Sequence, residues 1–428
     1  MRGALTIVRV TTLEDAPVDP APGRFAAFLR PKVGGLPRTF WVLWAGTLLN
    51  RLGTMVEPFL GLYLTTTRGL SLTQAGMVMA VLGAGSLGGQ LAGGALADRI
   101  GRRVTLTLAT VGTGAAMLAL GYAEGLAAIV AAALLLGLLL DMYRPASQAM
   151  VADVISPRDR PRAFGLLFWA VNLGWAVAMV LGGTLARQGF LWLFWIDAVT
   201  CAAFGLLVWR AVPETWARGA RAERAGGFGR VLRDRVMVAY VLITLVYTFV
   251  LMQGMTTMPL AMKEAGLGPQ DYGLAIAANG VLIIIVQPLV NAWLARRDHS
   301  LVMVAGFVLV ALGYGLTALA ASLAAYTATI LVWTLGEITA ASVLQAVVAD
   351  LAPAGLRGRY SGLYGMAWSG GFLLAPLGGT QLLGAGGAPA LWLTCAGLAL
   401  GAAAAQLALA PALRRRRTVA LDTPFSSE

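Results

Sequence analysis

Apolar residues run along this chain in blocks of about 20 to 28. Short stretches rich in Arg, Asp, Gly or Pro separate them. A helix rises about 1.5 Å per residue, so a run of about 20 crosses the hydrocarbon of a bilayer. Twelve such spans are predicted, at 39–66, 72–97, 104–123, 126–153, 162–186, 190–211, 236–260, 271–295, 300–321, 324–350, 358–383 and 388–411. The longest internal polar stretch, 212–235, divides them six and six. The pattern predicts an all-α integral membrane protein with 12 transmembrane helices in two pseudo-symmetric six-helix bundles. A cytoplasmic tail covers 1–38, the bundles cover 39–211 and 236–411, a cytoplasmic linker covers 212–235, and a second tail covers 412–428.

The two halves repeat. A shift of 197 places Gln148-Ala149-Met150-Val151-Ala152-Asp153 on Gln345-Ala346-Val347-Val348-Ala349-Asp350. The register continues without a gap through Arg160 on Arg357, Gly165 on Gly362 and Gly182 on Gly379. Parallel repeats of this kind put a binding site near mid-membrane, between the halves.

Composition agrees. The chain is 58% hydrophobic and 12% charged, with mean hydropathy +0.75, against about 25% charged residues in a soluble domain. A net charge of +12 raises nucleic acid as a partner, but its distribution opposes that. The loops and tails of one side hold 27 of the 32 Lys and Arg, and the alternate loops hold only Arg68, Arg187 and Lys263. This is the positive-inside pattern, and it predicts cytoplasmic termini and a place in the cell's inner (plasma) membrane. Arg414–Arg417 is expected to face anionic lipid headgroups. Cys201 and Cys395 lie in apolar runs and support neither a disulfide nor a metal site. His299, in a charged loop, is expected to be solvated.

Between spans 2 and 3 stands Gly94-Ala95-Leu96-Ala97-Asp98-Arg99-Ile100-Gly101-Arg102-Arg103-Val104-Thr105-Leu106. Charges there would cost about 2.5–3.5 kcal/mol each at the bilayer centre, so this is a hairpin at the membrane surface. The pattern G-x-L-A-D-R-x-G-R-R-x-x-L resembles the signature loop between helices 2 and 3 of the major facilitator superfamily, and every position of it is filled. The resemblance implies a gate built from Gly94, Asp98, Arg99, Gly101, Arg102, Arg103 and Asp153. In it Asp98 meets the N-terminus of helix 11 and Arg102 reaches Asp153. It also implies that helices 1, 4, 7 and 10 line a cavity.

Spans 1, 4 and 10 hold Arg51, Glu57, Asp141, Arg144 and Glu337. Five charges at that depth together cost on the order of 10 kcal/mol unless hydrated or paired, so they face water or one another. Arg51 and Glu57 are six apart and would not share a face of an unbroken helix. Asp141 and Arg144 are three apart and can pair. Glu337 has no basic residue within a turn, and a carboxyl buried without a fixed cation can bind and release protons near neutral pH. In span 7, Met252, Met255, Met258 and Met262 recur at helical spacing beside Gln253, as a packing stripe or as a soft binding face. Trp169, Trp175, Trp333 and Trp368 offer flat faces to lipophilic cations or to lipid.

Thr334-Leu335-Gly336-Glu337-Ile338 resembles the tenth helix of the 12-helix drug:proton antiporters of the lactococcal type, and Arg144 falls near the arginine of their fourth-helix motif. That resemblance implies a proton-coupled multidrug exporter working by alternating access. Its coupling ion is the proton, it needs no cofactor, and its partners are a small-molecule substrate and membrane lipid. Ala178-Met179 replaces the Gly-Pro of the antiporters' helix-5 motif, which leaves uptake of a small metabolite as the alternative. No phosphate loop or catalytic constellation appears, so a nucleotide-driven pump and an enzyme are disfavoured. A monomer is expected from the fold.

Overall fold

The computed structural model describes residues 35–156, 159–214, 229–294, 296–352 and 357–422. Most of the expected N-terminal tail and linker, and the end of the C-terminal tail, lie outside the described residues. Every regular element among those described is a helix. In order they are α1 (Arg38–Leu52), α2 (Val56–Thr66), α3 (Leu72–Ile100), α4 (Arg102–Tyr122), α5 (Gly125–Leu140), α6 (Tyr143–Val154), α7 (Arg160–Ala186) and α8 (Leu191–Ala211). The second part holds α9 (Gly229–Leu232), α10 (Arg235–Thr256), α11 (Met258–Glu264), α12 (Pro269–Leu294), α13 (His299–Thr317), α14 (Leu323–Leu351) and α15 (Arg357–Asp422). Ten described helices are long and apolar enough to cross a membrane.

The difference from twelve expected spans has local causes. The last two spans run together in α15, which is interrupted at Gly387, where φ is 69°. The first span is divided between α1 and α2 at Gly53–Met55. Spans 4 and 7 are also interrupted, at Asp141–Met142 and at Thr257. A proline follows each of these three breaks: Pro58, Pro145 and Pro259. A proline ring clashes with the carbonyl four residues earlier and gives no amide to it, which here means Thr54, Asp141 and Met255. Span 10 has Ser342 where the repeat would place Pro145, and α14 runs unbroken through it.

The first and second parts of the chain meet along two seams, α3 on α15 and α7 on α12. Glycines permit the approach toward one end only. A Cβ on Gly83 would stand 3.1 Å from the Leu373 backbone, and one on Gly273 would stand 3.1 Å from Gly183 Cα. Toward the other end, a Cβ on Gly88 or Gly94 of α3, Gly165 of α7 or Gly365 of α15 would meet nothing within 4 Å among the described residues. Among the described residues the two parts therefore pack closely at one end and are spread at the end that carries the Gly101 turn.

The basic C-terminal run is not directed only at lipid, as the sequence suggested. Arg416 forms a two-pronged pair with Asp234 at 2.5 and 2.9 Å, and Arg414 binds Asp298 at 2.7 Å. Asp234 and Asp298 also cap the N-termini of α10 and α13. His299, expected in solvent, is 9% exposed and stands 3.4 Å from Asp350. Burial raises the Asp234 carboxyl, but hydrogen bonds from Arg416, Tyr360 and Met237 N–H outweigh it and hold the group below the usual range. A lowered folded value means the clasp stabilises fully above the unfolded carboxyl range, about pH 4, and is lost as pH falls through the folded value. Arg416→Gln is thus expected to cost about 1 kcal/mol near neutral pH. Thermal unfolding of the purified chain should show that deficit shrink below about pH 4.

Candidate functional site

Between the two parts lies a central cavity of about 340 Å³. The helix breaks at Gly53–Met55 and at Asp141–Met142 border it: Arg51 and Glu57 line it on either side of the first, and Asp141 lines it at the second. They change what the sequence implied about facing. Arg51 ends α1 and Glu57 begins α2, so the break lets both line the cavity although an unbroken helix would separate them. Arg51 donates to the Tyr143 hydroxyl at 2.6 Å and has no carboxylate within 4 Å among the described residues. Glu57 has no hydrogen bond and no cation within 4 Å among them. Asp141 and Arg144 pair across their break at 2.7 Å, and Gln90 adds a long contact to Asp141 at 3.5 Å.

Opposite them stands Glu337 on the unbroken α14. Its Oε2 accepts from Asn279 Nδ2 at 2.8 Å, and the same amide group reaches Thr334 Oγ1 at 2.9 Å. No cation lies within 4 Å of Glu337 among the described residues. Setting the Asp141–Arg144 pair aside, Glu57 and Glu337 face one Arg51, so the cavity carries one more acid than base. Trp333 beside Glu337 is held by stacking: its ring lies 5.7 Å from Tyr314 at 12°, and Tyr314 stacks in turn on Trp392. Trp175, Trp368, Met252 and Met255 complete an aromatic and thioether wall.

Some expected members are elsewhere. Gln253 is fully buried and turned from the cavity, donating to the Ala375 carbonyl at 3.1 Å and accepting from Thr257 Oγ1 at 2.7 Å. Met258 and Met262 are buried beyond the Thr257 break, so the methionine stripe reaches the cavity only through Met252 and Met255. Trp169 is 42% exposed and does not line the cavity. In the loop after α3, Gly101 takes φ 103°, open to glycine alone at low cost, and lets the chain turn into α4. The expected Asp98 and Asp153 contacts lie outside the described side chains. A partner not foreseen is Glu214, whose carboxylate accepts from the Arg102 and Arg103 amides at 2.9 and 3.1 Å and caps α4. Arg103 also stacks over Trp209 at 4.7 Å. Asn279 was missed as well, because an asparagine in an apolar run carries no pattern of its own. Its place 58 positions from Glu337 is set by the packing of α12 on α14.

Residues 43–269 and 255–426 match the description of the Major Facilitator Superfamily. The uncharacterized MFS-type transporter YttB of Bacillus subtilis is 28% identical over 358 residues, covering 81% of this chain and 89% of the relative. A Na(+), Li(+), K(+)/H(+) antiporter of Planococcus maritimus is 25% identical, covering 76% and 84%. The multidrug resistance protein MdtH of Cronobacter sakazakii is 26% identical, covering 78% and 83%. Among solved structures, the peptide transporter POT in complex with sulfate superposes with a TM-score of 0.76 at 17% identity, covering 90% and 96%. The human organic anion transporter MFSD10 superposes with a TM-score of 0.60 at 20% identity, covering 86% and 99%.

Proposed function

The chain belongs to the Major Facilitator Superfamily, and from that premise we propose that it is a proton-coupled exporter of lipophilic cations. The observation that carries this reading is Glu337: a carboxylate in the cavity wall, held by one amide, without a cation within 4 Å among the described residues, beside Trp333. A positive, flat substrate can lie over the indole and against the carboxylate. A proton can take the same carboxylate, so the two compete, and competition at one acid is the simplest chemistry of exchange. The excess of acids over bases in the cavity favours the same class of substrate. One proton moving down 100 mV supplies about 2.3 kcal/mol, enough for a roughly 50-fold gradient. The similarity to MdtH and to a cation/H(+) antiporter agrees with this chemistry.

The finer architecture belongs to the same proposal. Two six-helix bundles, 39–211 and 236–411, rock about the cavity in the plasma membrane, with both tails and the 212–235 linker in the cytoplasm. The protein acts as a monomer and needs no cofactor. The spread end then faces the cytoplasm. The loop Gly94–Arg103, with Asp98, Arg99, Arg102 and Asp153, gates that end when it closes.

Arg51, which has no carboxylate partner among the described residues, supports a second reading: uptake of a small anionic metabolite. Cells expressing the chain and loaded with a fluorescent lipophilic cation separate the two. Export predicts loss of dye that stops on adding an uncoupler. Dye retention by well-expressed protein, with saturable accumulation of an organic anion, would sink the export reading.

A further inference from the structure

Among the described residues, Asp197 is the acid buried in the first part of the chain. It sits on α8, is 2% exposed, and does not line the central cavity. Its work is at the break between α1 and α2. Helix α2 begins without a cap of its own, because Met55 at the cap position offers no side-chain acceptor. Asp197 supplies the acceptor from the neighbouring helix. It accepts from Met55 N–H at 3.2 Å and from Val56 N–H at 2.9 Å. Uncovered backbone amides in a membrane interior are costly, so this contact satisfies a demand that the break itself creates. Shape supports it: a Cβ on Gly53 would stand 2.8 Å from Thr200 Cβ, so α8 touches the chain at the break.

The next residue after Val56 is Glu57. It is the one residue shared by the central cavity, an apolar crevice toward Leu60 and Met79, and a small polar cavity of about 20 Å³ that reaches Asn50, Asp197 and Cys201. Where α2 starts therefore decides where Glu57 stands against Arg51, Asp141 and Arg144. The device is one-sided. The repeat places Thr394 opposite Asp197, and among the described residues Thr394 bonds only the Ala390 carbonyl of its own helix.

We propose that Asp197 is the positioning residue for Glu57: by accepting the two amides that open α2, it sets the place of Glu57 in the cavity and so the affinity of the site for a cation. The affinity part rests on the reading of the cavity as a site for lipophilic cations; the helix-holding part does not.

Two measurements on the purified full chain test it. The first is hydrogen–deuterium exchange of wild type, Asp197→Ala and Asp197→Asn. A peptide over residues 53–64 is expected to exchange about tenfold faster in Asp197→Ala. Asp197→Asn, which keeps a side-chain oxygen acceptor, stays near wild type, and peptides elsewhere do not change. The second is binding of tetraphenylphosphonium. Asp197→Ala is expected to weaken it about tenfold, Asp197→Asn less than about threefold, and Asp197→Ala is expected to add no loss once Glu57→Gln is present. Unchanged exchange over 53–64, or an equal affinity loss with and without Glu57, overturns the proposal. Wild type that does not bind tetraphenylphosphonium overturns the cation reading and the affinity part with it. The exchange result then still decides whether Asp197 holds α2.

Discussion

Glu337→Gln is expected to cut uncoupler-sensitive efflux of a lipophilic cation at least about tenfold while leaving expression and folding intact. Gln is nearly isosteric, and its side-chain oxygen can still accept from Asn279, which Glu337 now does at 2.8 Å. The packing of α14 against α12 and α13 is then preserved. On the proposed exchange, what is lost is the charge that would hold the cation and the site that would trade it for a proton. A single charge-assisted contact in a low-dielectric wall is worth about 1.5–3 kcal/mol, which is at least tenfold in affinity. The measurement is proton release on adding dye to proteoliposomes, alongside efflux from cells. Efflux that survives in Glu337→Gln would move the coupling role to Glu57 or Asp141, the remaining acids of the cavity.

A comparably large effect is expected from Gly273→Leu. This glycine sits where α12 meets α7, and its missing Cβ makes room for Gly183 and the Met179 carbonyl. Most of what a larger side chain would meet is backbone, which cannot swing aside, so the seam must part. Overpacking of this kind costs about 1–3 kcal/mol. That is enough to shift a balance between two states roughly 5- to 150-fold. Transport is expected to fall by at least about fivefold, with thermal stability lowered in the same variant. Gly88→Leu provides the contrast, because a Cβ there would meet nothing within 4 Å among the described residues. It should leave the unfolding temperature of the purified chain unchanged and still slow transport, since the proposed alternating access requires that end to close. Wild-type transport in Gly88→Leu would argue that the open end never closes over this position.

The sequence by itself determined the membrane architecture, because burying a backbone in lipid leaves few choices. The runs of apolar residues fall on the observed helices, Gly101 within the Gly94–Arg103 stretch makes the turn between α3 and α4, and Glu337 faces the central cavity. Charges deep in apolar runs are costly enough to be noticed one at a time, which is why Arg51, Glu57, Asp141, Arg144 and Glu337 were legible as a group. The tertiary structure decided the rest. Prolines stand at Pro58, Pro145 and Pro259, after breaks, and also at Pro288 and Pro376, inside continuous helices. The residue alone therefore does not say whether a helix parts. Whether it does depends on what neighbouring helices offer the freed backbone, as Asp197 offers Met55 and Val56. Helical spacing likewise put Gln253 and four methionines on one stretch, but the Thr257 break and the α15 contact turned Gln253, Met258 and Met262 inward. Asn279 and Glu214 became visible only as contacts, because each acts on a residue far away in the chain, and no local pattern records a partner 58 or 112 positions distant.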